Sequence, residues 1–205
     1  MKYDQIHKKV ALRLDWLNSN ARHAIILRET FTVPAYDSAI RKIIAGTNRV
    51  RCYKVYLDAV YFEFIMTLMR MYDGYKSDDT ACFEKLFECL SNDVIQNIES
   101  ESRRRVKSKI KLAVKEYSSL KNSDLVASLK TVRNKMYAHT STNFNQNLVA
   151  KYGFPEQLLK RTLPMLNDIN LVILNKTEPF DEMGKYWKGN ATGFWQAFLK
   201  ENSND

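Results

Sequence analysis

The sequence predicts an all-α protein, and three observations carry that expectation. Only six glycines and four prolines occur in 205 residues, too few punctuating residues for a turn-dense β-sandwich or a glycine-cradled nucleotide fold. Leu, Lys, Met and Glu, all good helix formers, are spread through the chain. Apolar residues also recur at three- and four-residue intervals along most of it. A content of 45% hydrophobic and 27% charged residues is that of an ordinary globular protein and excludes wholesale disorder. The length suits one sizeable core, so a single domain over residues 1–205 is expected.

Ile6, Val10, Leu14 and Leu17, continued by Ile25, Ile26 and Leu27, predict one helix, or two in tandem, from Asp4 to Thr30. Val33-Pro34-Ala35 is expected to interrupt it, because the residue before a proline is pushed out of helical geometry. Ser38 to Ile44 makes a short helix stopped near Gly46, so the N-terminal helices occupy residues 4–44. Val50 to Tyr72 is the most apolar segment and is expected to be central to the core. In projection Leu57, Val60, Tyr61, Phe64, Leu68 and Tyr72 share one wide face, with Cys52, Ala59, Glu63 and Arg70 opposite. Asp58 breaks the pattern on the flank of that face, where a desolvated carboxylate needs a partner. Asp73-Gly74-Tyr75 ends the helix.

A short helix follows around Phe83, Leu86, Phe87 and Leu90. From Val94 to Leu120, Val106, Ile110, Val114 and Tyr117 form one stripe and Arg104, Lys107, Lys111 and Lys115 another, giving a helix with a basic face. Asn122-Ser123-Asp124 caps the next helix, which carries Leu125, Leu129, Val132 and Met136 to about Ala138. After the polar stretch Thr140–Asn147, Pro155 suits the first turn of a helix over Glu156–Leu174, with Pro164 as a kink. The segment 180–205 keeps Trp187, Phe194, Trp195 and Phe198, enough aromatic surface to dock.

Charge and cysteine usage narrow the function classes. The formal net charge of +9 leaves a potential that attracts polyanions or an acidic partner. The N-terminus lacks the apolar run of a secretory signal, and no apolar stretch approaches the roughly 20 residues that span a bilayer, so a soluble, cytoplasmic protein with no membrane partner is expected. Cys52, Cys82 and Cys89 form no CxxC pair and read as buried reduced thiols rather than a metal site or disulfide. His7 and His23 stand alone, so no metal and no cofactor is expected. Neither a Walker loop nor GxSxG is present.

One segment carries chemistry: Arg133-Asn134-Lys135-Met136-Tyr137-Ala138-His139. A permanent guanidinium near a titratable imidazole suits phosphodiester cleavage. The imidazole removes a proton from a ribose 2′-hydroxyl or gives one to the leaving oxygen, and the arginine neutralises charge growing on the phosphorus oxygens. On one ideal helix the two side chains are about 120° apart in projection and about 9 Å apart along the axis. Reaching one phosphate therefore requires an unwound last turn or a second copy of the helix, which a twofold dimer supplies. The competing reading is that Arg133 salt-bridges a neighbouring helix and that His139 is a C-terminal residue favoured by the dipole.

RNKMYAH resembles the signature of the HEPN superfamily (higher eukaryotes and prokaryotes nucleotide-binding), an arginine followed after four to six residues by histidine. The segment Leu68-Met69-Arg70-Met71-Tyr72-Asp73, the small helix Phe83–Leu90, the motif helix and a final helix with Leu166-Asn167-Asp168-Ile169-Asn170 are similar to its abortive-infection, AbiU-like branch. The likeness covers roughly residues 50–175. It implies a HEPN-like up-and-down helical bundle, with additional N- and C-terminal helices, that forms a homodimer through the motif helix. It also implies a metal-independent endoribonuclease of phage defence or of a toxin–antitoxin pair with a cognate antitoxin. Arg133 and His139 would be the catalytic pair, with Asn134 a polar auxiliary that orients the arginine or the phosphate; the odd position of Asp58, and not the motif, makes it a candidate partner of Arg133. Asp58 equally suits pairing with Lys54 on its own helix. Tyr137 either faces the site or packs. Toxin members controlled by a nucleotidyltransferase often carry a tyrosine two places after the histidine; here Ser141 stands there.

Arg104, Lys107, Lys111 and Lys115 are the candidate RNA-binding residues, in a segment that also holds Arg103, Arg105 and Lys109. The alternative is a solvated face offset by Glu99, Glu101 and Glu116. At the level of the whole chain, the rival to an RNase is a non-catalytic helical module that binds nucleic acid, nucleotide or an acidic protein. A helix-turn-helix DNA binder fits less well, since no tight glycine turn precedes a basic recognition helix.

Overall fold

The structure is a computed structural model that describes residues 3–46, 50–74, 82–90, 100–138 and 153–202. Among the described residues there are eight helices and no strand: α1 (Tyr3–Tyr36), α2 (Ser38–Ala45), α3 (Val50–Tyr72), α4 (Phe83–Cys89), α5 (Ser100–Lys121), α6 (Asp124–Ala138), α7 (Phe154–Leu174) and α8 (Phe180–Asn202). The all-α fold expected from the sequence is the one observed. The residues group into two units, Met1–Ala21 with Thr67–Glu178 and Arg22–Met66 with Pro179–Asp205.

In the first unit, α5 packs against both α6 and α7, and α6 also lies against α7. A two-residue turn, Asn122-Ser123, joins α5 to α6 and folds one back along the other. Ser123 fastens that turn by donating its hydroxyl to the Leu120 carbonyl at 2.6 Å, and the same oxygen receives the Val126 N–H at 3.5 Å. Leu14 and Leu17 of α1, Leu68, Met69 and Tyr72 of α3, Leu120 of α5, Leu129 of α6 and Leu166 of α7 fill the interior. Four rings, from Tyr72, Phe83, Phe87 and Tyr117, pack together with centroids 5.3–6.2 Å apart, the range in which aromatic pairs attract beyond their buried area. The Tyr72 hydroxyl meets the Thr162 hydroxyl at 2.7 Å, and burial pushes its pKa well above the ordinary tyrosine value.

Two amides cross this core. Asn18 and Asn170, both buried, exchange reciprocal Nδ2–H···Oδ1 bonds of 2.8 Å. Nearby, Asn167 closes the end of α7 on the following strap: its Oδ1 accepts from the Glu178 N–H at 2.8 Å and its Nδ2 donates to the Glu178 carbonyl at 3.1 Å. Asp168 pairs with Lys109 at 2.6 Å. The polar residues of the Leu166–Asn170 segment thus hold helices together.

The second unit is smaller. Phe31 of α1 packs at a tilt against Tyr61 of α3 with centroids 4.7 Å apart, and Val33, Ile40, Ile44 and Trp195 bury together, with the Tyr53 ring edge-on to Trp195 at 5.2 Å. Trp195 docks α8, as the aromatic tail predicts, while Phe194 stays largely exposed.

Two expectations change. Pro34 does not interrupt α1, which runs on to Tyr36. It removes one helical hydrogen bond but lies in the last turn, with only two helical residues after it, and the Asp37 N–H still reaches the Val33 carbonyl at 3.0 Å. Asp37 then caps α2 by accepting from the Ala39 and Ile40 N–H groups at 2.9 and 3.0 Å. Second, α3 is central only from Tyr61 onward. Its first half leaves Cys52, Val55, Tyr56 and Ala59 exposed, because Arg51, Lys54 and Asp58 leave only a narrow apolar stripe. Cys52 is accordingly not buried, unlike Cys82. The start expected for α5 near Val94 lies outside the described residues, which take up that helix at Ser100. Pro164 sits on the exposed side of an unbroken α7, which ends at Asn175 in the left-handed conformation, φ 51°.

The amide pair predicts a measurable asymmetry. Asn170→Leu strands the Asn18 amide in the core and lowers unfolding free energy by about 1–3 kcal/mol in denaturant titration. The double variant Asn18→Leu/Asn170→Leu recovers much of that loss; a double variant less stable than either single one would contradict this account.

Candidate active site

The motif helix α6 is oriented by Val126, Leu129 and Val132, which point into the first unit. Arg133, next to Val132, therefore emerges at the rim of the core, and its neighbour Asn134 is exposed. The Arg133 Nη1 donates to the Asp73 carboxylate. Its Nε and Nη2 converge on the Asn134 Oδ1, at 3.1 and 2.9 Å. The Arg133 and Asp73 side chains are only 21% and 13% exposed, so this charge-assisted bond works in a partly desolvated setting where it is stronger than a surface pair.

Asp73 is held at the end of α3. Its N–H bonds to the Met69 carbonyl at 2.8 Å, and both Met69 and Tyr72 are fully buried. A carboxylate just past a helix C-terminus faces the negative end of the dipole, and the Arg133 guanidinium offsets that charge. Beside it, Gly74 leaves room that the Glu84 carboxylate fills; a Cβ at position 74 would collide with that carboxylate. Glu84 accepts from Lys121 Nζ at 2.7 Å, and the ammonium sits 5.8 Å from the centre of the Tyr117 ring. The hydrogen bond from Lys121 holds the Glu84 carboxyl below the usual carboxylate range, and the same bond raises Lys121. Burial pushes the Tyr117 hydroxyl up. A layer of paired charges thus lies between the four-ring cluster and the Asp73–Arg133 bond.

Of the residues singled out by sequence, Arg133 and Asn134 come together. His139 and Ser141 lie outside the described residues, as do the side chains of Met136 and Tyr137. Asp58 is exposed in the first half of α3, and the carboxylate that binds Arg133 is Asp73, just past the end of that helix. Hydration of Asp58 removes the need for a partner that its flank position suggested. Lys107, Lys111 and Lys115 are exposed on α5, whereas the Arg104 side chain lies outside the described residues. Lys109 leaves the basic face for Asp168, and Glu116 turns to Arg161 of α7 at 2.7 Å and does not offset the stripe. Sequence reasoning missed Asp73 as a partner, although an acid at the wrong end of a helix was a signal for one.

The all-α fold is that of the HEPN class. Within it, the chain belongs to the AbiU2 family, whose profile matches residues 3–193. No curated protein and no solved structure matches it. Among the described residues no helix is long and apolar enough to cross a membrane, and no three His, Cys, Asp or Glu side chains are gathered as a metal site.

The Glu84–Lys121 pair is testable by titration. Because the Glu84 pKa is depressed on folding, its contribution to stability is present above the ordinary carboxylate pKa and is lost as pH falls through the depressed value. Lys121→Ala moves the Glu84 carboxyl resonance in carbon-detected NMR back up toward the usual carboxylate range, and an unmoved midpoint would show that Lys121 is not the cause.

Proposed function

We propose that the protein is a metal-independent endoribonuclease acting in phage defence by abortive infection or as a toxin with a cognate antitoxin. Membership of the AbiU2 family of HEPN proteins supports this reading. The observation that carries it is Arg133, held by Asp73 at the rim of the first unit, six positions before His139. In the reaction His139 serves as general acid or base, taking the 2′-hydroxyl proton or protonating the departing 5′-oxygen. Arg133 stabilises charge on the phosphorus oxygens, and Asn134, bonded to its Nε and Nη2, orients the arginine before the phosphate binds. The protein acts in the cytoplasm with no metal or cofactor.

RNA is drawn to the exposed stripe Lys107, Lys111 and Lys115, with Arg104 in register one turn earlier. A homodimer through α6 supplies a second copy of the motif. In support, Ala127, Thr131 and Asn134 form an exposed side of that helix, short enough for two helices to approach closely. A second reading, a non-catalytic module that binds nucleic acid, nucleotide or an acidic partner, draws on the engagement of Arg133 by its own chain on both sides.

Arg133→Ala and His139→Ala each abolish cleavage of labelled transfer or messenger RNA in EDTA, read on denaturing gels, while helical circular dichroism is kept. Equal cutting by wild type and both variants would refute the catalytic assignment, and salt-sensitive binding without cutting would favour the second reading. Each of Lys107→Ala, Lys111→Ala and Lys115→Ala lowers the slope of log affinity against log salt by about 1 if that lysine meets a phosphate. Unchanged slopes would move the RNA track elsewhere.

A further inference from the structure

The two sides of the Arg133 guanidinium are occupied differently. Nη1 is bound to a carboxylate fixed to the core through Met69 and Tyr72. The opposite edge, Nε with Nη2, is bound to one amide oxygen of the exposed Asn134. That edge is the fork an arginine offers to a phosphate oxygen, and Asn134 Oδ1 occupies the place such an oxygen takes. We infer that Asp73 is a positioning residue that anchors the inner edge of Arg133, so that its Nε/Nη2 edge faces outward to receive a phosphodiester oxygen, with the Asn134 amide as a cap that turns aside when the phosphate arrives. The inference rests on the reading of Arg133 as the phosphate-binding arginine.

The asymmetry has a physical basis. Asp73 stands one residue past α3, on backbone tied into the last helical turn, and Gly74 beside it is backed by the Glu84–Lys121 pair. Asn134 has a short side chain on the exposed surface of α6, so turning it aside disturbs no packing. Asp73 also places a negative charge near the incoming phosphate. It therefore weakens ground-state binding while fixing the direction of the guanidinium, and these two effects separate in kinetics.

The test uses the full chain and three readouts. Turnover of a fluorescent single-stranded RNA in EDTA gives kcat and KM for wild type, Asp73→Asn, Asp73→Glu, Asn134→Ala and Arg133→Ala. Asp73→Asn is expected to lower kcat about tenfold to a hundredfold while KM stays level or falls, and Asp73→Glu to restore part of kcat. Asn134→Ala is expected to bind inorganic phosphate more tightly, since no cap has to be displaced. The third readout does not depend on turnover: the Nη1–H resonance of Arg133, identified by its loss in Arg133→Lys, is protected from solvent exchange in wild type and Asp73→Glu and unprotected in Asp73→Asn. An Asp73→Asn variant with wild-type kcat and an unchanged resonance overturns the proposal. So does one that gains both kcat and affinity, because Asp73 would then be a competitor for the guanidinium. Weaker phosphate binding by Asn134→Ala removes the cap. If Arg133→Ala cleaves as well as wild type while the resonance behaves as expected, the fault lies in the underlying assignment of Arg133 and not in the anchoring.

Discussion

Asp73 follows the last turn of α3, where the helix dipole is negative, and so its carboxylate requires a nearby cation. Arg133 answers that requirement from α6, and the bond between them sets the geometry of the site. Each partner is fixed by burial next door, Asp73 by Met69 and Tyr72 and Arg133 by Val132. The bond in turn specifies how α6 meets the end of α3: rotating α6 by one position would bury Arg133 or turn it into solvent. Gly74, next to Asp73, is backed by the Glu84–Lys121 pair.

A partly desolvated ion pair at this place is weak evidence about stability, since the desolvation of both charges opposes their attraction. It says more about orientation. An arginine free in solvent samples many rotamers, and ordering it on a phosphate would then oppose binding. Held by Asp73, it has lost that freedom on folding. The remaining edge, capped by Asn134, is the only part of the guanidinium for which the described residues offer an exposed partner.

Much of the architecture was legible in the sequence because helices announce themselves by period and cap. Buried Ile110 and Tyr117, the stripe Leu125–Val132, the cap at Ser123 and the docking of Trp195 follow from residue type and spacing, whereas Val114, placed on the same stripe as Ile110, stays exposed. Pro34 misled because its effect depends on place: within the last turn it removes little. The first half of α3 misled because a high apolar content does not say whether a neighbour covers it; Val55 and Tyr56 stay exposed. For the site, the Arg133–Asn134 end of the motif was legible and its acid partner was not. Asp58 drew notice by breaking an apolar face, but position on a helix cannot tell which of two acids on or beside the same helix lies against another element. Asn167, Asp168 and Asn170 were visible as a polar signature, and only packing reveals that they tie α7 to the Glu178 strap, to α5 and to α1.

On the proposed reading this chain cuts RNA through the RNA's own 2′-hydroxyl, with charge on phosphorus met by Arg133. The chemistry of the product ends tests it most directly. RNA incubated with the protein in EDTA is predicted to yield fragments ending in 2′,3′-cyclic phosphate and beginning with 5′-hydroxyl, with no cut at a linkage whose 2′-hydroxyl is replaced by hydrogen. Fragments with 3′-hydroxyl and 5′-phosphate ends, formed only when a divalent metal is supplied, would contradict it.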